Sequence, residues 1–120
     1  MSNLYKDLGG EDTIFNVLQC FYQKIREDDL IRRSFSKVDI NRLIEVQTQF
    51  LCEFLGGTGD YDPAELMELH NQVNFSAEDF SGALKWLEIA LREAAISIDD
   101  VQTILETAHK NKHRIINIKF

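Results

Sequence analysis

The sequence predicts an all-α protein, and three observations carry that expectation. Apolar residues recur at steps of three and four in four separate stretches, the period of one buried helical face. Residues that start and stop helices bracket those stretches. No segment alternates apolar and polar residues over the length of a strand, and one proline and six glycines in 120 residues leave room for long helices. The length suits one domain spanning residues 1–120. A hydrophobic content of 44% is enough to fill a core.

The elements follow in order. Ser2 to Leu8 has the length of one or two helical turns, and Gly9-Gly10 stops them. Glu11 and Asp12 then place negative charge at the start of a longer helix, where it favours the dipole. Ile14, Val17, Leu18, Phe21 and Ile25 form its buried stripe, with Tyr22 alongside, and the helix fades near Asp28-Asp29. Leu30 to Phe35 reads as a short turn. Asp39 caps a helix over roughly Ile40 to Leu55, in which Leu43, Val46, Phe50, Leu51 and Phe54 repeat at three and four. Gly56-Gly57 ends it, as glycine does where a left-handed residue is needed. Asp62 caps the next, short helix, and Pro63 suits its first position, where no N–H is required. That helix closes on His70. Asn71 to Phe75 is a connection. Ser76 with Asp79 gives a box-like start to a helix striped by Phe80, Ala83, Leu84, Leu87, Leu91 and Ala94. Ser97 with Asp100 repeats the signal before a last helix carrying Val101, Ile104, Leu105, Ala108 and Ile115. Trp86, beside Leu84 and Leu87, reads as a packing residue.

Charge and composition exclude several function classes. Twenty acidic against thirteen basic residues give a net charge of −7, the wrong sign for nucleic acid or an anionic membrane surface. No apolar run is long enough to span a bilayer, and Met1 to Lys6 lacks a signal peptide's apolar core. Cys20 and Cys52 fit no metal or redox spacing and read as free thiols of a reducing cytoplasm. His109 and His113, four apart, share a helix face, but no third ligand accompanies them at metal-site spacing. They read as a solvated face near a helix end. There is no glycine-rich phosphate loop and no nucleophile motif.

The informative residues are polar ones on apolar stripes. Gln47 lies between Leu43 and Leu51 at four-residue steps. Inside a core such an amide must find partners or cost a few kcal/mol; at a helix edge it would reach solvent instead. Tyr22 poses the same question less sharply. Together they suggest one polar spot in an apolar cavity, the pattern of a small-molecule pocket.

Taken with their order and spacing, these residues resemble the truncated haemoglobins of the first group, the two-over-two globins, over nearly the whole chain. Leu4-Tyr5-Lys6-Asp7-Leu8-Gly9-Gly10 is similar to the family's opening motif, and Phe21-Tyr22 to the pair on its second helix. Phe35 matches the phenylalanine that packs on haem. Gln47, Phe50 and Leu55-Gly56-Gly57 match the distal helix and its end, Tyr61 and Leu66 to His70 the approach to the proximal histidine, and Phe80 the opening of the following helix.

The resemblance implies a compact two-over-two helical sandwich holding haem b, iron protoporphyrin IX, through His70. It implies Tyr22 and Gln47 as hydrogen-bonding groups on the opposite, distal face. Phe35, Leu43, Val46, Phe50, Leu66 and Leu69 would line the pocket, and Tyr61 would approach a propionate. Three positions depart from some relatives. Val46 stands where a histidine can take the sixth iron position, so no internal ligand is expected from that helix. Leu43 replaces a glutamine, leaving Gln47 as the main amide donor. Ser34 replaces the first of a Phe-Phe pair, which would loosen packing there. Ala83 occupies the position of the second group's tryptophan, in keeping with the first group. His113 falls where some cyanobacterial and algal relatives have a histidine that bonds covalently to haem, and the resemblance extends that attachment to it.

The function so implied is reversible binding of O₂, NO and CO at a His-ligated iron. Two hydrogen bonds to a charged ligand, at roughly 1.5–3 kcal/mol each, would slow O₂ release on the order of a hundredfold. Slow release suits chemistry on O₂ better than carriage, and conversion of NO to nitrate is the enzymatic reading. It would need an external reductase, because no flavin or nicotinamide site is visible. The alternatives are a gas or redox sensor acting through a partner, and a haem-free helical adaptor in which His70 would be exposed and Gln47 would sit at a helix edge. The expected context is a cytoplasmic monomer.

Overall fold

The structure, a computed structural model, describes residues 3–110; Ile115 and His113 lie outside them. Six α-helices and one short 3₁₀ turn make up the described residues, with no strand among them. They are α1 (Leu4–Leu8), α2 (Glu11–Glu27), α3 (Ile40–Phe54), α4 (Pro63–Asn71), α5 (Ala77–Glu93) and α6 (Ile98–Lys110), with the 3₁₀ turn at Arg32–Phe35. The all-α expectation holds, and the four long helices are those read from periodicity.

Local chemistry sets the ends. Asn3 and Asp39 accept the amides of Lys6 and Arg42 at the starts of α1 and α3. Asp62 accepts the Ala64 amide at 2.9 Å, with Pro63 in the first turn. Ser76 and Asp79 form a reciprocal capping box on α5. The Ser97 hydroxyl accepts the Asp100 amide at 3.2 Å ahead of α6. Gly56 follows α3 at φ +110, where a side chain would be strained.

The helices form a continuous set of contacts centred on α2. α2 packs on α3 and on α5, α5 on α6, and the short α4 on α3. One large apolar core joins α1 through the start of α5, and a smaller one gathers Val17, Ala90, Leu91 and Val101. Three sequence expectations change in detail. Ala94 is exposed, because α5 ends at Glu93 and the stripe loses its phase there. Trp86 does more than pack: its indole N–H donates to Asp28 at 2.8 Å, and that bond holds the Asp28 carboxyl below the usual carboxylate range. Ser34 does not loosen its surroundings, since its buried hydroxyl donates to Asp79 at 3.1 Å.

Candidate haem pocket

His70 closes α4, and its inward orientation follows from helical spacing. Leu66, Leu69 and His70 share one face and are buried, while Met67 between them is 66% exposed. The residue is itself only 6% exposed. Desolvation pushes the imidazole down to about 4, so it is neutral near pH 7 and keeps a free nitrogen lone pair.

The two polar residues singled out on α2 and α3 meet this histidine. The Tyr22 hydroxyl donates to Gln47 Oε1 at 2.5 Å. That bond occupies the carbonyl end of the amide and turns its NH₂ toward His70, where Gln47 Nε2 lies 3.3 Å from His70 Nε2. The amide can only donate, so the imidazole nitrogen facing it is the unprotonated one. All three side chains are buried, and no buried side-chain polar atom among the described residues lacks a partner. Burial raises the Tyr22 phenol well above its ordinary range, which keeps it protonated and able to donate.

Apolar residues surround this chain of bonds. Tyr22 packs edge-on against Phe21, at 4.8 Å, and against Phe35, at 5.5 Å between ring centroids. Leu43, Val46, Phe50, Leu66 and Leu69 are buried in the same core. A cavity of about 130 Å³ extends from Tyr22 and Gln47 along Phe50, Phe80 and Ala83 toward α6. Tyr61 is half-buried and edge-on to Phe50 at 5.7 Å. It also borders a surface groove lined by Glu11, Asp12, Glu45, Asp60, Asp62 and Glu65. Among the described residues lining it, the cation is Arg42, already engaged by Glu65 and Glu45, so these surroundings do not favour a propionate beside Tyr61. His109 is exposed at the end of α6.

Sequence reasoning missed Val73 and Phe75, which are 0% and 2% exposed. Phe75 packs edge-on to Phe35 at 5.1 Å, extending the aromatic wall behind Tyr22. Both lie between helices, where no periodicity marks burial; the cue available was the apolar character of two residues in a polar connection.

The described residues contain no group of three His, Cys, Asp or Glu side chains able to hold a bare metal ion. One neutral, buried imidazole amid apolar walls is what an iron carrying its own ring of nitrogens needs from the protein. The donor chemistry therefore fits. At 3.3 Å the two nitrogens are too close for a macrocycle to lie between them, so admitting one requires α3 and α4 to draw apart here.

A two-layer helical sandwich with a buried histidine opposite a phenol and an amide defines a globin-type protein. The profile of the bacterial-like globins matches residues 3–117. The chain belongs to that family, and its relatives place it with the first group of truncated haemoglobins. It is 28% identical over 118 residues to the group 1 truncated haemoglobin GlbN of Synechocystis sp., covering 95% of each chain. The truncated haemoglobin of Tetrahymena pyriformis in its Fe(III) form superposes with a TM-score of 0.81 at 23% identity, over 96% of this chain and 98% of that one. The 2/2 haemoglobin of Synechococcus sp. PCC 7002, cyanomet and with covalently attached haem, gives 0.79 at 21% identity, over 97% and 99%. The family implies a haem cofactor and binding of diatomic gases such as O₂. The burial of His70 and Gln47 is the opposite of what a haem-free adaptor would present.

Proposed function

We propose that His70 would hold a haem b through its iron, that Tyr22 and Gln47 would face the gas-binding side, and that the protein binds O₂ reversibly with slow release. The observation that carries this is the buried Tyr22–Gln47–His70 alignment in an otherwise apolar interior. Haem iron held by one imidazole supplies a redox-active centre open to a diatomic gas. The protein's own part is orientation and polarity. Tyr22 fixes the Gln47 carbonyl, which leaves the amide N–H as the donor turned toward the histidine side. Phe35, Leu43, Val46, Phe50, Leu66 and Leu69 exclude water, and a hydrogen bond strengthens in such surroundings. Val46 offers no imidazole, so the distal side stays free for a gas.

The same arrangement supports NO dioxygenation, NO + O₂ + e⁻ → NO₃⁻, with the electron supplied by an external reductase. The working context is one domain over residues 1–120, a cytoplasmic monomer. His113 is a candidate for covalent attachment to haem, as in the Synechococcus protein. Acid-acetone extraction tests this: cofactor remaining with the polypeptide supports the bond, and full extraction removes it. Stopped-flow O₂ release and NO consumption test the main reading. Release in Gln47→Leu should be at least about tenfold faster than in the parent, the loss of one hydrogen bond to a charged ligand. Unchanged release would take Gln47 out of the distal site. A sensor would show slow NO consumption even with reductant in excess.

A further inference from the structure

We infer that Ser34 and Asp79 act as a positioning pair that clamps the aromatic wall behind Tyr22 and so sets the aim of the Tyr22–Gln47 donor system. This rests on the reading of Tyr22 and Gln47 as ligand-side residues. A buried serine costs stability unless its hydroxyl is bonded, and Ser34 is 8% exposed. Its Oγ donates to Asp79 Oδ2 at 3.1 Å. The same carboxylate oxygen accepts the Ser76 amide at 3.1 Å, so the Ser34 bond is tied into the capping box of α5. On its other side, the Ser34 carbonyl accepts the Asn74 amide at 2.9 Å. The 3₁₀ turn is thus fastened to the 74–79 segment by both a side chain and the backbone.

The two fastened segments carry the two rings of the wall. Phe35 follows Ser34 directly, and Phe75 follows Asn74. Their rings meet edge-on at 5.1 Å, and Phe35 bears on Tyr22 at 5.5 Å and 81°. Phe35 has no polar group of its own, so the turn that carries it fixes its place. Tyr22 in turn delivers its hydroxyl to Gln47 at a short 2.5 Å, a bond sensitive to small displacements of the ring. Movement of the turn is therefore passed by ring contact to the hydroxyl and then to the amide.

The test compares Ser34→Ala with Asp79→Asn in the haem-loaded protein, because the first breaks the clamp and the second retains its acceptor. Ser34→Ala removes the donor and leaves the capping box intact. Asp79→Asn keeps an oxygen able to accept from both Ser34 and the Ser76 amide. The readouts are the infrared stretch of bound CO, which reports hydrogen bonding at the ligand, and the O₂ release rate. The clamp predicts a shifted or broadened CO band and about three- to tenfold faster release in Ser34→Ala, part of one hydrogen bond, with parent-like values in Asp79→Asn. Ser34→Cys, which keeps the volume but weakens the donor, should move the band in the same direction and stands in should Ser34→Ala fail to fold. A parent-like band and rate in the serine variants overturns the clamp. Tyr22→Phe, measured beside them, tells whether the distal reading survives: a moved band there with none in the serine variants sinks the clamp alone.

Discussion

Replacing Tyr22 by Phe isolates the bond on which the pocket's polarity depends. The ring should stay in place, because Phe21 and Phe35 both pack against it edge-on. What is lost is the hydroxyl that donates to Gln47 Oε1 at 2.5 Å. That carbonyl oxygen, on a side chain 5% exposed, is then buried without its donor, which costs about 1–3 kcal/mol. Gln47→Leu alone leaves the Tyr22 hydroxyl unpaired at comparable cost. It also strips His70 Nε2 of the amide 3.3 Å away. In the double variant the Tyr22 and Gln47 penalties vanish together, and only the histidine remains uncompensated. The single effects should therefore sum to more than the double effect by the two unpaired-group penalties together, about 2–6 kcal/mol. Urea unfolding of the haem-free parent, both single variants and the double gives that coupling directly. Strict additivity would mean that the two side chains do not share a bond, and the orientation assigned to the amide would fall with it.

Two further perturbations follow. The His70 imidazole is depressed in the folded chain, from 6.5 to about 4, so between those pH values the unfolded chain binds the extra proton; haem-free protein should lose about 3 kcal/mol of stability as pH falls from 7 through that window, and His70→Leu should flatten the loss in a pH series of denaturation curves. Arg42 on α3 forks onto both carboxylate oxygens of Glu65 on α4, at 2.7 and 2.6 Å, across the same helix pair that must part to admit a macrocycle; Arg42→Ala should speed haem uptake in stopped-flow mixing, high salt should do the same to the parent, and an unaltered rate would show that the pair does not restrain opening.

How much could be read in advance depended on whether a residue's role is local. Capping is local, so Asp39, Asp62, Ser76 and Ser97 were legible as helix starts, and the structure shows each accepting an amide. Periodic burial is nearly local, and it placed Gln47 on an apolar face where only a partner makes it tolerable. Tyr22, 25 residues away, was joined to it as a second polar residue on an apolar stripe, whereas their placement opposite His70, 23 residues from Gln47, was implied by the family resemblance, because no local pattern encodes which faces meet. Phe21 illustrates the limit of phase: it was placed on the buried stripe, yet it is only half-buried, and its neighbour Tyr22 is 1% exposed. Adjacent helical positions differ by about 100°, so a stripe drawn from spacing alone does not choose between them. Phe75 and the Ser34–Asp79 bond were not legible, since one lies outside any periodic element and the other joins residues 45 apart.

The measurement closest to the central claim is the iron–imidazole stretch of the ferrous, haem-reconstituted protein by resonance Raman, in the parent and in His70→Gly. A histidine band is expected in the parent; in His70→Gly both the band and stable haem retention should be lost, and free imidazole should restore both. An unchanged band and undiminished haem retention in His70→Gly would contradict the claim and assign the iron to another residue.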